Sequence, residues 1–256
     1  MTKRHEGKTV VISGAASGIG QAAAVRLAEE GARIVIVDRA DAAKTVALIE
    51  GAGGEAKAFA CDVSDPVSVA TLRSVVEETG WSCDILVNNA GIYPVQTFDE
   101  ISFEDWRRVL SVNLDSMFLM TKALTAAMRQ RRWGRIINIA SDTVSLLVPH
   151  FVHYISSKAG VIGFTRSLAT EFGEEGVTVN AIAPGLTRTP GTNARREIPG
   201  EMSTAQLFEL MANMQSIKRG EQVSDLVGAI SFLASDDAAF ITGQTLYVNG
   251  GLTRTT

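Results

Sequence analysis

Cysteine is scarce in this chain of 256 residues: there are two, Cys61 and Cys83, beside three histidines. Neither thiol has a histidine close to it in sequence, so no metal-ligand spacing arises, and two cysteines make no disulfide framework. Both sit in apolar, strand-like segments, where packing in the core is the expected role. An excess of positive charge is also missing. The formal net charge is −4, which gives no electrostatic basis for binding nucleic acid or an anionic membrane. No apolar run is long enough to span a bilayer, and the charged start Met1–Lys8 leads directly into a strand rather than a signal sequence. The expectation is a reduced, cytoplasmic protein without a metal. Repeats, low-complexity tracts and linkers are absent too, and the length suits one large domain over residues 1–256.

What is present is alternation. β-Branched runs at Thr9–Ser13, Arg33–Asp38, Ala56–Cys61, Ile85–Asn88, Arg135–Ile139, Thr178–Ile182 and Thr245–Val248 read as strands, with helical segments between most of them. Several of these runs are apolar throughout, as strands covered on both faces should be. On the first helix Ile19, Ala23 and Leu27 recur every four residues, and Gly31 supplies a stop. The pattern predicts an α/β fold: a doubly wound, Rossmann-like sheet of about seven parallel strands with helices on both faces. One irregular region, Gly185 to about Gly200, precedes a helix over Ser203–Met214. A long segment of that kind suggests a substrate lid, placed at about 186–217.

Ser13-Gly14-Ala15-Ala16-Ser17-Gly18-Ile19-Gly20 lies between the first strand and its helix. Glycines let the backbone approach a pyrophosphate, while the helix N-terminus offers unpaired N–H groups and partial positive charge. Asp38 ends the second strand, where a carboxylate can accept from a ribose 2′-hydroxyl and repel a 2′-phosphate. The expected cofactor is therefore NAD rather than NADP. Arg39 complicates this, since a guanidinium can pair with a phosphate.

Tyr154 and Lys158 stand four apart, on one face of a helix whose stripe continues inward as Val161, Ile162, Thr165 and Ala169. Ser141 falls just past the fifth strand, at the carboxyl edge where such sheets bind ligands. A free tyrosine has a pKa of about 10, and a nearby ammonium favours the phenolate, which makes Tyr154 a candidate general acid/base. Ser141 would orient the substrate oxygen. Phe103, Trp106, Leu110, Leu114 and Met117 mark the apolar side of a helix that also carries Asn113. A buried amide there needs a specific partner.

The Gly-x-x-x-Gly-x-Gly spacing at 14–20 together with Tyr154-x-x-x-Lys158 resembles the short-chain dehydrogenase/reductase family, and the likeness runs in register from about residue 7 to 252. The resemblance implies an oxidoreductase with Asn113, Ser141, Tyr154 and Lys158 as its catalytic set, Asn113 holding a relay water. It places Gly14, Ser17, Gly18, Ile19 and Gly20 at the phosphates, Asp38 and Arg39 at the adenosine ribose, and Asp62 and Val63 at the adenine. Asn89, Ala90 and Gly91 would line the cofactor; Pro184, Gly185, Thr187 and Thr189 would flank the nicotinamide; Ile182 would touch its amide through the backbone. Tyr154 and Lys158 would meet the nicotinamide ribose. A homotetramer built on helices around 103–131 and 154–172 is implied as well.

Substrate contacts are expected from Tyr93, Ser141, Thr143, Leu147, Phe151, Tyr154, Leu186 and Met211, with Ile92, Pro94, Val144, Leu146, Met202 and Met214 nearby. This mostly apolar set favours a hydrophobic or ring-bearing secondary alcohol or ketone. In Ala90-Gly91-Ile92-Tyr93-Pro94 and His153-Tyr154-Ile155-Ser156 the chain is similar to bacterial NAD-dependent secondary-alcohol dehydrogenases acting on aryl alcohols such as 1-phenylethanol, and to pyridoxal 4-dehydrogenases. His150 and His153 read as ordinary helix-start residues, and Asp142 could meet a polar substituent. One rival is a 3-oxoacyl-carrier-protein reductase, for which Arg188, Arg195 and Arg196 would form a cationic mouth for an acidic carrier. Another is a non-catalytic NAD-sensing protein on the same fold, disfavoured because the catalytic set is complete.

Overall fold

A computed structural model describes residues 3–146 and 148–253. Its main sheet contains β1 (Thr9–Ser13), β2 (Arg33–Asp38), β3 (Glu55–Ala60), β4 (Ile85–Asn88), β5 (Gly134–Ile139) and β6 (Val177–Pro184), joined after a detour by β9 (Thr245–Val248). All neighbours are parallel, in the order β3-β2-β1-β4-β5-β6-β9. Two short strands, β7 (Thr187–Arg188) and β8 (Glu221–Gln222), pair with each other apart from it. The seven predicted strands are all present, β6 running two residues beyond its expected end.

Alternate residues of each strand serve opposite layers. Ile12, Ile34, Ile36, Ile85 and Ile137 pack with α1 (Gly18–Glu29), α2 (Ala43–Gly51) and α10 (Val223–Leu233). Val11, Val35, Val37, Leu86 and Ile136 pack with α3 (Pro66–Glu78), α5 (Ser116–Leu124), α6 (Ala126–Arg131) and α7 (Val152–Phe172). Each such side chain gains about 1.5–3 kcal/mol from leaving water, so most positions of these strands are apolar. That is why the runs read as unbroken apolar stretches.

The stripe expected over 103–117 does not survive as one helix. After α4 (Phe103–Leu110) the chain makes a π-turn at Ser111–Asp115 before α5 begins. The extra residue rotates α5 relative to α4, so Asn113 and Met117 are buried while Phe103 is 73% exposed.

Strand order reverses between β1 and β4, whose chains lead away to opposite sides of the sheet. Beyond their carboxyl ends the connections diverge and leave a crevice. Residues 185–222 fold over it as β7, α8 (Pro190–Asn193), a loop, α9 (Thr204–Met214) and β8. The predicted 203–214 helix is thus found, with Ser203 as its cap accepting from Gln206 N. Two contacts tie this segment to the walls: an ion pair from Arg196 Nη2 to Glu100 Oε1 at 3.0 Å and a hydrogen bond between His150 Nε2 and Glu201 Oε1 at 2.7 Å.

Candidate active site

A cavity of about 420 Å³ occupies the crevice. Its walls come from the segment after every strand end: Gly14, Ser17, Gly18 and Ile19 after β1, Asp38 and Arg39 at β2, Asp62 and Val63 after β3, Asn89, Ala90 and Gly91 after β4. Ser141 and Thr143 follow β5, and Pro184, Gly185, Leu186, Thr187 and Thr189 follow β6. Tyr93, Phe151, Tyr154, Lys158 and Met211 complete the predicted residues found there. Of the wider apolar set, Ile92 and Leu146 also line it. Met202 and Met214 instead face outward, 49% and 53% exposed. Leu147 lies outside the described residues.

Three predicted site residues sit behind the wall rather than on it. A Cβ at Gly20 would come within 2.6 Å of Asn89 Nδ2, so glycine is needed there for packing. Asn113 is fully buried, donates from Nδ2 to Ile92 O (2.9 Å) and Ser157 Oγ (3.0 Å), and accepts from Ile92 N at Oδ1 (2.8 Å). The specific partner its burial demanded is thus present, and both amide atoms are engaged by protein. Ile182 is likewise interior: its carbonyl accepts from Ala140 N at 2.7 Å within the sheet, not in the cavity.

The glycine turn has the form of an anion cradle. Gly14 has φ +67°, and a Cβ there would lie 2.8 Å from Ala90 Cα. Asn89 Nδ2 braces the turn through Ser13 O (3.0 Å) and Gly14 O (2.9 Å). The Ser13 hydroxyl accepts from Asn89 N and Ala90 N, which ties β1 to β4. α1 opens without a side-chain cap from Ser17, so its first N–H groups are free to meet a phosphate. Asp38 is held at the rim by Ala16 N and Ala40 N, each at 2.9 Å. Arg39, 68% exposed, reaches Asp62 at 3.4 Å and is partly neutralised there. These residues fit a dinucleotide.

At the other end α7 positions Tyr154 and Lys158. It is pinned to the sheet by a buried chain from Asn88 Nδ2 to Asn138 Oδ1 (2.8 Å) and from Asn138 Nδ2 to Thr165 Oγ1 (2.9 Å). Lys158 Nζ donates to Ile139 O at 2.6 Å, and burial pulls its pKa down to about 8. The Tyr154 ring stands edge-on to Tyr93 and Phe151, with centroids 6.1 and 5.8 Å away. Desolvation pushes its phenol up to about 12, Tyr93 and Asp142 add to this, and Ser141 pulls the other way. This upward shift contrasts with the lowering expected from Lys158, whose Nζ lies 5.9 Å from the ring centroid and directs one N–H at the Ile139 carbonyl. His153 is buried and takes Tyr154 N on Nδ1 at 2.9 Å. It is the helix-start residue expected, and neither it nor His150 lines the cavity.

Sequence reasoning passed over Glu221. This residue is 5% exposed and accepts from Gly185 N at 3.1 Å and from the Thr187 hydroxyl at 2.5 Å. It thereby fixes the turn after β6 that forms one cavity wall. Asp142, which follows β5 and also lines the cavity, is 2% exposed and takes Asn249 Nδ2 at 3.4 Å. Burial pushes Asp142 up to about 6 and Glu221 up to about 7, each partly relieved by its hydrogen bonds. A carboxyl with a raised folded pKa stabilises the fold below its unfolded pKa, and that gain is lost as pH rises through about 7. Glu221→Gln, neutral throughout, should therefore melt above wild type at pH 8 by on the order of 1–3 kcal/mol, with the difference shrinking towards pH 5. Thermal melts across that range check it. A variant less stable than wild type at pH 8 would mean that the charged carboxylate itself stabilises the turn.

Among the described residues no cluster of metal ligands is found, and no helix is long and apolar enough to cross a membrane. A family model described as enoyl-(acyl carrier protein) reductase matches residues 14–253. Taken with the seven-stranded parallel sheet and the Tyr–Lys site, this establishes that the chain belongs to the short-chain dehydrogenase/reductase family. One curated relative is the 3-oxoacyl-[acyl-carrier-protein] reductase of Vibrio cholerae, 39% identical over 248 residues, covering 96% of this chain and 98% of that one. Among solved structures, a putative gluconate dehydrogenase from Agrobacterium tumefaciens matches with a TM-score of 0.92 at 32% identity over 100% of both chains. A 3-oxoacyl-[acyl-carrier protein] reductase with bound NAD from Brucella melitensis matches with a TM-score of 0.88 at 35% identity, over 99% of this chain and 94% of that one.

Proposed function

We propose that the protein is an NAD(H)-dependent oxidoreductase that interconverts a secondary alcohol and its carbonyl, in one NAD-binding domain whose residues 186–217 form the substrate lid. The observation that carries the chemistry is the convergence of half-buried Tyr154, Ser141 and, one turn on, buried Lys158 on one cavity. A bound NAD(H), held by the glycine turn and Asp38, would supply the hydride acceptor for the alcohol and the hydride donor for its carbonyl. Tyr154 moves the accompanying proton, as acid in reduction and as base in oxidation. Ser141, its hydroxyl receiving that of Thr143 at 2.9 Å, holds the substrate oxygen at the phenol. Lys158 supplies positive charge beneath the site and binds the nicotinamide ribose.

Asp38 supports NAD over NADP: its carboxylate is fixed at the cavity rim, and the neighbouring Arg39 is drawn towards Asp62. The names of the relatives weigh towards a reductase of 3-oxoacyl groups more than towards the aryl alcohols that the sequence favoured. The apolar wall of Ile92, Leu146, Phe151, Leu186 and Met211 accepts either an acyl chain or a ring. A free cationic mouth for an acidic carrier is less well supported, since Arg196 is paired with Glu100 and Arg188 stacks over Phe208 at 4.2 Å. Free, buried thiols accord with a reducing, cytoplasmic setting, and Phe103 and Phe118 stand exposed on helices expected to build a homotetramer.

Turnover of acetoacetyl-N-acetylcysteamine and of acetophenone with NADH and with NADPH tests this reading. NADH-dependent reduction of at least one is expected, and the faster substrate decides between the two classes. Tight NADH binding with no turnover of either, or of any carbonyl in a wider panel, would favour the non-catalytic NAD-binding alternative.

A further inference from the structure

Arg195 differs from the other cations around the cavity. Arg39 reaches Asp62, Arg196 pairs with Glu100, Arg188 lies over Phe208, and Lys158 donates to Ile139 O. Arg195 also lines the cavity, and its half-buried side chain forms no ion pair among the described residues. Its Nε is shielded from solvent and has no hydrogen-bond partner there. A shielded guanidinium N–H without an acceptor costs free energy unless something else supplies one. The guanidinium sits 5.9 Å from the Phe151 ring centroid, and that ring is 5.8 Å from Tyr154. Phe151 thus neighbours both the charge and the Tyr154 ring, and all three line one cavity.

We propose that Arg195 is a specificity-determining residue that receives an anionic group, carboxylate or phosphate, carried by the substrate at a distance from its reacting carbon. This rests on the carbonyl–alcohol reaction proposed at Tyr154 and adds the charge and reach of the molecule reduced or oxidised. Guanidinium groups suit such anions because two parallel N–H bonds match two oxygens. Phe151 neighbours both groups and offers an apolar surface to the part of the substrate that joins anion and carbonyl. The substrate class that such a charge selects is an oxo-acid or its phosphate counterpart.

Calorimetric binding of 4-acetylbenzoate and its neutral isostere 4-acetylbenzamide, with and without NADH, tests the assignment independently of turnover. Wild type should bind the anion about ten- to a hundredfold more tightly than the amide, as a charge-assisted contact implies. Arg195→Gln should bring that ratio to about one, and Arg195→Lys should retain part of it. Monomethyl phosphate as competitor then tells whether phosphate serves as well as carboxylate. No preference for the anion in wild type, or a preference that survives in Arg195→Gln, overturns the proposal. Turnover of the amide with NADH is read separately: its absence would count against the carbonyl reaction and leave the binding result standing.

Discussion

Tyr154→Phe is expected to lower kcat by about 10²–10⁴-fold in both directions, while affinity for NADH falls far less. The substitution removes one oxygen and little else. Phenylalanine keeps the edge-on contacts with Tyr93 and Phe151, and Lys158 stays anchored on the Ile139 carbonyl. The loss therefore reads proton transfer rather than folding. The pH profile of wild type adds a second reading of the same group. With the phenol pushed up to about 12, it is protonated throughout the neutral range. Reduction should then be nearly flat between about pH 6 and 8, while oxidation climbs roughly tenfold per unit over the same span, because only the ionised fraction acts as base. A variant retaining more than a tenth of wild-type kcat would mean that another group or a water carries the proton.

Asp38→Asn should lower the preference for NADH over NADPH by about ten- to a hundredfold, the worth of one charge-assisted hydrogen bond of 1.5–3 kcal/mol. Asparagine nearly matches the carboxylate in shape, but it has one acceptor oxygen where Asp38 now serves both Ala16 N and Ala40 N. Some loosening of the glycine turn is expected, so thermal melts accompany the Kd titrations. The ratio of the two Kd values is the diagnostic, since loosening affects both cofactors while lost charge affects them in opposite senses. An unchanged ratio would show that Asp38 only braces the turn.

Much of this protein was legible because its signals are local. The strands announced themselves by burial on both faces, as with Ile34, Val35 and Ile36. Tyr154 and Lys158 share a helix face by spacing alone, and Asp38 ends a strand beside the turn whose glycines face it across the β1–β2 pair. Even the buried amide of Asn113 was a sound demand for a partner. What failed there was the helix itself: a π-turn is one slipped backbone hydrogen bond, and no side-chain pattern records it.

Glu221 was illegible for a different reason. Its role depends on the pairing of Thr187 with a residue 34 positions later, and nothing at either position marks the other. Arg195 could be seen as a charge but not as an unpaired one, because Arg188 and Arg196 beside it look alike until their partners are known. The phenol of Tyr154 shows the limit most plainly. Spacing put an ammonium near it and argued for a lowered pKa, but desolvation acts at the full depth of the site while Coulomb attraction falls with a distance that spacing does not set. Sequence alone determined the fold, the glycine turn and which side chains gather at the carboxyl edge of the sheet, since periodicity and short motifs encode those within a few turns of chain. The tertiary structure alone decided which charges are neutralised, which carboxyls are buried and how far the Lys158 ammonium stands from Tyr154, because those energies depend on groups that only the completed fold brings together.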